Sequence, residues 1–214
     1  MKNKTDNIEP FKHIVEIFEK FEIDLSNYLS LVEKEDWTFI IQLHSYLEEF
    51  CRISIVNLLN KSTRIILTEE YTELDFSKFV NTLSMGDKNI GYISFLTDTN
   101  LLPSSFKRFL KELTQLRNKF VHDHNYLNFS IKDYYQELDS NQKKNFHYLI
   151  QIQKVDPKST LLGDSKIYKD KILSTSFQLI SELSHFIGYV DDSSDFINES
   201  MFKFVNTNHP DDKI

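Results

Sequence analysis

Apolar residues recur along this chain at helical spacing. Phe11, Ile14, Phe18, Phe21, Leu25, Tyr28 and Val32 follow one another at steps of three and four, which keeps their side chains on one helical face. The spacing predicts one long helix over 11–32, packed against a bundle or forming a dimer seam. Glu35 and Asp36 interrupt it, and a second helix is predicted over 37–60. Trp37, Ile40, Ile41, Leu47, Cys51, Ile55 and Leu58 line one of its faces, and Phe39, Phe50 and Ile53 widen that face. A helix apolar over most of its circumference belongs at the centre of its domain. His44 lies on this stripe and reads as a core histidine beside a surface Glu48–Arg52 pair.

Residues 61–75 are irregular, and Ile65-Ile66-Leu67 fits a short strand or a buried loop. Asp75 is an N-cap candidate for a helix over 76–85, and a further helical piece follows Gly86-Asp87 at 90–96. Pro103 then suits the first turn of a helix whose buried face is Phe106, Phe109, Leu110, Leu113, Leu116, Phe120 and Val121. After an extended stretch at 125–129, Ser130 caps a helix to 138. Another helix is predicted over 140–153, then a loop marked by Pro157 and Gly163. The last long helix covers 166–190 on Ile172, Ser176, Ile180, Leu183, Ile187 and Val190. The pattern predicts an all-α chain: a single helical domain over 1–190 and a polar tail over 191–214. The tail carries one amphipathic segment (Phe196, Ile197, Met201, Phe202, Val205).

Composition agrees. Only 4 glycines and 4 prolines argue against a hairpin-rich β fold, because glycine supplies the positive-φ positions of tight turns. With 18 phenylalanines and 10 tyrosines, the core is expected to be built on aromatic rings. One cysteine, Cys51, excludes an intramolecular disulfide and a cysteine-based zinc cage. No apolar run approaches a membrane span, and no apolar signal region follows the basic start at Met1 to Asp6. The expectation is a cytoplasmic protein without a membrane partner. A net charge of −7 disfavours broad, sequence-independent nucleic-acid binding and leaves room for a local basic patch.

Candidate chemistry gathers at 116–124. The helix ending there carries Lys107, Arg108, Lys111, Arg117 and Lys119 against Glu112, the clearest local excess of positive charge. No glycine-rich phosphate loop and no recognisable nucleophile context occur elsewhere. His122-Asp123-His124 invites a metal reading. On a helix, however, residues two apart point about 200° apart, so both imidazoles reach one ion only if the helix ends at His122. No metal or cofactor is expected. Asn118 and His122, at i and i+4, share a stripe. Arg117 lies on the adjoining face with a long side chain, and Phe120 and Val121 anchor the turn.

Arg117-Asn118-Lys119-Phe120-Val121-His122 resembles the Arg-x4–6-His motif of the HEPN superfamily, which has a polar residue after the arginine. The preceding helix, with Thr38-Phe39-Ile40-Ile41-Gln42-Leu43-His44-Ser45-Tyr46-Leu47-Glu48-Glu49, and the segment Phe76-Ser77-Lys78-Phe79 look like the branch that includes mannitol operon repressor-like proteins. The resemblance covers residues 36–124 best. It implies an antiparallel HEPN-type helical bundle, here with an extra C-terminal helix and short tail, that forms a homodimer with the two motifs facing across a cleft. Many members are metal-independent endoribonucleases of toxin–antitoxin or antiviral defence systems; others are non-catalytic modules that bind a partner protein or nucleotide.

The resemblance implies catalytic roles for Arg117, Asn118 and His122; Lys119, Lys111 and His124 around them are candidate substrate-binding residues. Cleaving RNA without a metal needs a base for the 2′-hydroxyl, an acid for the 5′-oxygen and positive charge on the phosphorane. Imidazole supplies both protonation states near neutral pH, so His122 of one copy would be the base and that of the other the acid. Arg117 would grip the phosphate. RNA is the expected substrate, and an antitoxin or co-encoded defence protein the expected partner. A tyrosine two residues after the histidine marks members adenylylated by a nucleotidyltransferase antitoxin. His124 stands there, and the next tyrosine is Tyr126, which argues against that route. A structural role for the motif, stitching two copies together, is the alternative.

Overall fold

The computed structural model describes residues 9–66, 76–87, 91–123, 126, 130–150 and 164–190, with 9–13, 61–66 and 185–190 as backbone only. Every described regular element is helical: α1 (Glu9–Lys20), α2 (Leu25–Leu29), a 3-10 turn (Ser30–Glu33), α3 (Asp36–Ile66), α4 (Ser77–Val80), α5 (Tyr92–Asp98), α6 (Ser104–His122), α7 (Ile131–Glu137), α8 (Ser140–Ile150) and α9 (Ser165–Val190).

The long, broadly apolar α3 is the hub. It packs against α9 on one side and α6 on the other, and α8 touches both α6 and α9, closing a ring of four helices. Aromatic rings fill the core in two groups. Near the N-terminal elements, Phe18 meets Tyr28 at 5.0 Å, Phe50 at 5.3 Å and Phe177 at 5.7 Å between centroids. The Tyr28 hydroxyl lies 2.7 Å from Ser176 Oγ. Because Ser176 spends its proton on Leu173 O, Tyr28 is the donor. The second group, under α6, joins Phe120, Tyr126, Tyr134, Tyr135, Phe146 and Tyr168. Cys51 is fully buried, and burial pushes its thiol up to about 12.

The expected helix over 11–32 is divided. Glu22 adopts φ 55, and Asp24 starts α2 by accepting from Ser26 N at 2.8 Å and Asn27 N at 3.1 Å. The three-four spacing survives the break because Phe18, Phe21, Tyr28 and Leu31 all enter the same core. Conversely, α3 continues through Ile65 and Ile66 as helix, so the strand-or-loop alternative fails there. The helix expected over 76–85 shortens to α4, with Phe76 at the N-cap position and no side-chain cap. Asp75 lies outside the described residues, as do 151–163, the tail over 191–214 and, apart from Tyr126, the stretch 125–129. Ser130 caps α7 as expected, in a reciprocal box with Asp133.

One buried carboxylate ties three helix ends together. Asp36, at the start of α3, accepts from Ile131 N of α7 at 2.7 Å and from Ser165 Oγ of α9. It also pairs with Lys169 Nζ at 3.2 Å, where both side chains are only 11% and 10% exposed. Lys169 Nζ donates further to Lys34 O at 2.6 Å. Beside this hub, Trp37 Nε1 donates to Phe120 O at 3.1 Å. That carbonyl belongs to the last turn of α6, where intrahelical partners run out. The end of α6 is thereby fixed against the start of α3. Among the described residues, no helix is long and apolar enough to cross a membrane.

Candidate active site

Pro103 holds φ −56 immediately before α6, a value already suited to helix entry. Phe106, Phe109, Leu110, Leu113, Leu116 and Phe120 then bury one face. Helical backbone stops at His122: Asp123 is extended, and its N–H closes the helix on Lys119 O at 3.0 Å. His122 therefore sits in the last turn with its side chain exposed. Among the described residues, no hydrogen bond or ion pair engages its imidazole.

Two stripes of α6 face α7 and α8 across a solvent-open cleft with a volume of about 520 Å³. Glu112, Leu116, Lys119 and Asp123 form one stripe; Gln115, Asn118 and His122 form the other. Tyr134 of α7 and Asn145, Phe146 and Leu149 of α8 face them. The volume lies within the range of small-molecule sites, and an apolar wall with a few converging polar groups is their usual composition.

Lys119 is the cleft's positive charge. Its Nζ donates to Tyr126 Oη at 3.2 Å and stands 4.9 Å from the Tyr126 ring centroid and 5.8 Å from that of Tyr134. Tyr126 Oη donates in turn to Glu137 Oε2 at 3.1 Å. The Tyr126 hydrogen bond is the main reason that the Lys119 ammonium stays charged to higher pH than usual. At the other end, burial raises the Glu112 carboxyl above the ordinary range, opposed by the charge of Lys111. Burial also raises Tyr134.

Arg117 does not line this cleft. Its Nη1 donates to Asn118 Oδ1 at 3.0 Å. Occupying that oxygen fixes the amide's sense and leaves the Asn118 NH₂ as donor for other partners. The guanidinium also acts electrostatically on His44 of α3. His44 is 6% exposed, and burial first, then the Arg117 charge, depresses it to about 4. Its Nε2 lies 3.3 Å from Thr114 Oγ1, whose own proton goes to Leu110 O, so Nε2 carries the hydrogen. Nδ1 lies 3.8 Å from Glu48. His44 is thus a core histidine as expected, but the surface pair is different: Arg52 bonds Glu49, three residues earlier, and Asn81.

The structure therefore brings together Asn118, Lys119 and His122, with Arg117 touching the group through Asn118. Lys111 is exposed and outside the cleft, and His124 lies outside the described residues. Among the described residues no group of three or more His, Cys, Asp or Glu could hold a metal ion. Nothing in the sequence marks Glu112, Tyr134 or Asn145 as site residues. The heptad-like spacing of Glu112, Leu116 and Lys119 signals a shared face, but nothing local says that α7 and α8 lie opposite it. Comparison with known protein families, with curated proteins and with solved structures gives no match.

Proposed function

We propose that the chain is a HEPN-type, metal-independent endoribonuclease of a defence or toxin–antitoxin system, working as a homodimer. The observation that carries this reading is the unengaged, exposed His122 at the end of α6, beside the Asn118 donor and the Lys119 cation in one cleft. A phosphodiester needs that combination: a proton carrier, a hydrogen-bond donor and fixed positive charge. In the proposed step, one His122 takes the 2′-hydroxyl proton as O2′ bonds to phosphorus. The P–O5′ bond breaks, and the partner subunit's His122 protonates the leaving O5′. The products are a 2′,3′-cyclic phosphate and a 5′-hydroxyl. Arg117 orients Asn118 and adds positive charge behind it.

The position of Arg117, held by Asn118 and outside the cleft, favours a second reading: a non-catalytic HEPN module that binds a partner protein or nucleotide. Expressing wild type, Arg117→Ala and His122→Ala, with RNA integrity followed in EDTA, separates the two. Wild type should cleave with the chelator present. His122→Ala should lose about 10²–10⁴-fold in rate, with thermal stability unchanged because the side chain is exposed. If wild type leaves RNA intact both alone and with a co-encoded partner, the enzyme reading is lost.

A further inference from the structure

The end of the cleft remote from His122 holds a group that strand cleavage does not use. Glu112 is half-buried on the cleft wall, and among the described residues its carboxylate has no hydrogen-bond or ion-pair partner. Burial raises its pKa against the opposing charge of Lys111, and its oxygens can accept from donors of a ligand in the cleft. Glu112 and His122 are ten residues apart on α6, about 15 Å along the axis. With the reach of both side chains added, one nucleoside 3′-phosphate covers that span. Between them, the half-buried Tyr134 offers ring surface on which a base can stack.

We propose that this cleft binds an unpaired guanine, with its N1–H and N2–H₂ donated to the Glu112 carboxylate and its 3′-phosphate at Asn118, Lys119 and His122. Guanine is the base that presents two adjacent donors on its Watson–Crick edge, and a carboxylate accepts two in parallel. Cytosine and adenine offer one amino group there, beside an acceptor that a carboxylate repels. The proposal rests on the ribonuclease reading for its polarity: cleavage would fall on the 3′ side of guanosine.

The test reads binding apart from cleavage. The full-length protein and Glu112→Gln are titrated with guanosine, inosine, adenosine and cytidine 3′-monophosphates by calorimetry, and cleavage products are mapped separately. Wild type should prefer the guanosine nucleotide by about tenfold or more, with inosine intermediate. Glu112→Gln should lose the preference, because one carbonyl and one NH₂ replace two acceptors. Equal binding of all four, or a preference that survives Glu112→Gln, overturns the proposal even if RNA is cut. Guanine selectivity without cleavage by wild type sustains the base site and removes the ribonuclease reading instead. If Glu112→Gln changes only the sedimentation behaviour, the carboxylate serves a protein contact and the proposal fails.

Discussion

At the scale of single residues, two histidines on facing helices have opposite fates. His122 ends a helix in solvent, whereas His44 is enclosed between α3 and α6 with Thr114, Glu48 and Arg117 around it. The depressed pKa of His44 has a definite consequence for stability. Its ordinary value is 6.5 and its folded value about 4, so the unfolded chain binds a proton that the folded chain refuses. The stabilisation is fully present above pH 6.5, is lost as pH falls from there to about 4, and changes no further below. At 1.36 kcal/mol per pH unit, the loss approaches about 3 kcal/mol. Denaturant melts at pH 7.5 and 5 should differ by most of this, and His44→Gln should flatten the difference. His147, also held below its usual range by burial, contributes with the same sign and is untouched by that variant.

At the scale of elements, the starts of α3, α7 and α9 meet on Asp36. Removing the carboxylate would leave the buried Lys169 ammonium with Lys34 O as acceptor and the exposed Glu33 as a more distant counter-charge, and the Ile131 N–H without its acceptor. Asp36→Ala should therefore destabilise by about 3–5 kcal/mol, the cost of an uncompensated buried charge. Asp36→Asn should cost less, because an amide oxygen still accepts from Ile131. Chemical denaturation of the two variants measures the difference. Asp36 adjoins Trp37, which holds the last turn of α6, so a milder variant of this hub should also disturb the cleft. In Asp36→Asn, His122 should shift in NMR spectra although it lies in another helix.

At the scale of the whole molecule, the proposed chemistry needs two copies of His122 but one cleft per chain. When His122→Ala chain is mixed with an equal amount of wild type and allowed to exchange, random pairing leaves about a quarter of the dimers fully wild type. Cleavage should then fall to that fraction of the activity expected had every chain been wild type. A fall only to half would mean that one His122 suffices and that the acid and base lie in a single subunit. The readout is the rate of RNA loss against mixing ratio, with unchanged circular dichroism as the control for folding.

The sequence by itself determined what depends on neighbours a few residues away. The all-helical character, the entry of α6 at Pro103, the Ser130 cap of α7 and the grouping of Asn118 with His122 follow from short-range spacing and side-chain chemistry. The tertiary structure alone decided what depends on elements far apart in the chain. It divided the first helix at Glu22 without disturbing the apolar period, because both halves bury the same face in one core. It turned Arg117 toward Asn118 and His44, away from the cleft, since α3 covers one side of α6 while α7 and α8 cover another. It also placed Tyr134 and Asn145 across from Glu112 and His122, forming a cleft whose walls no single segment contains. Helical periodicity records which residues share a face; only packing decides what that face meets.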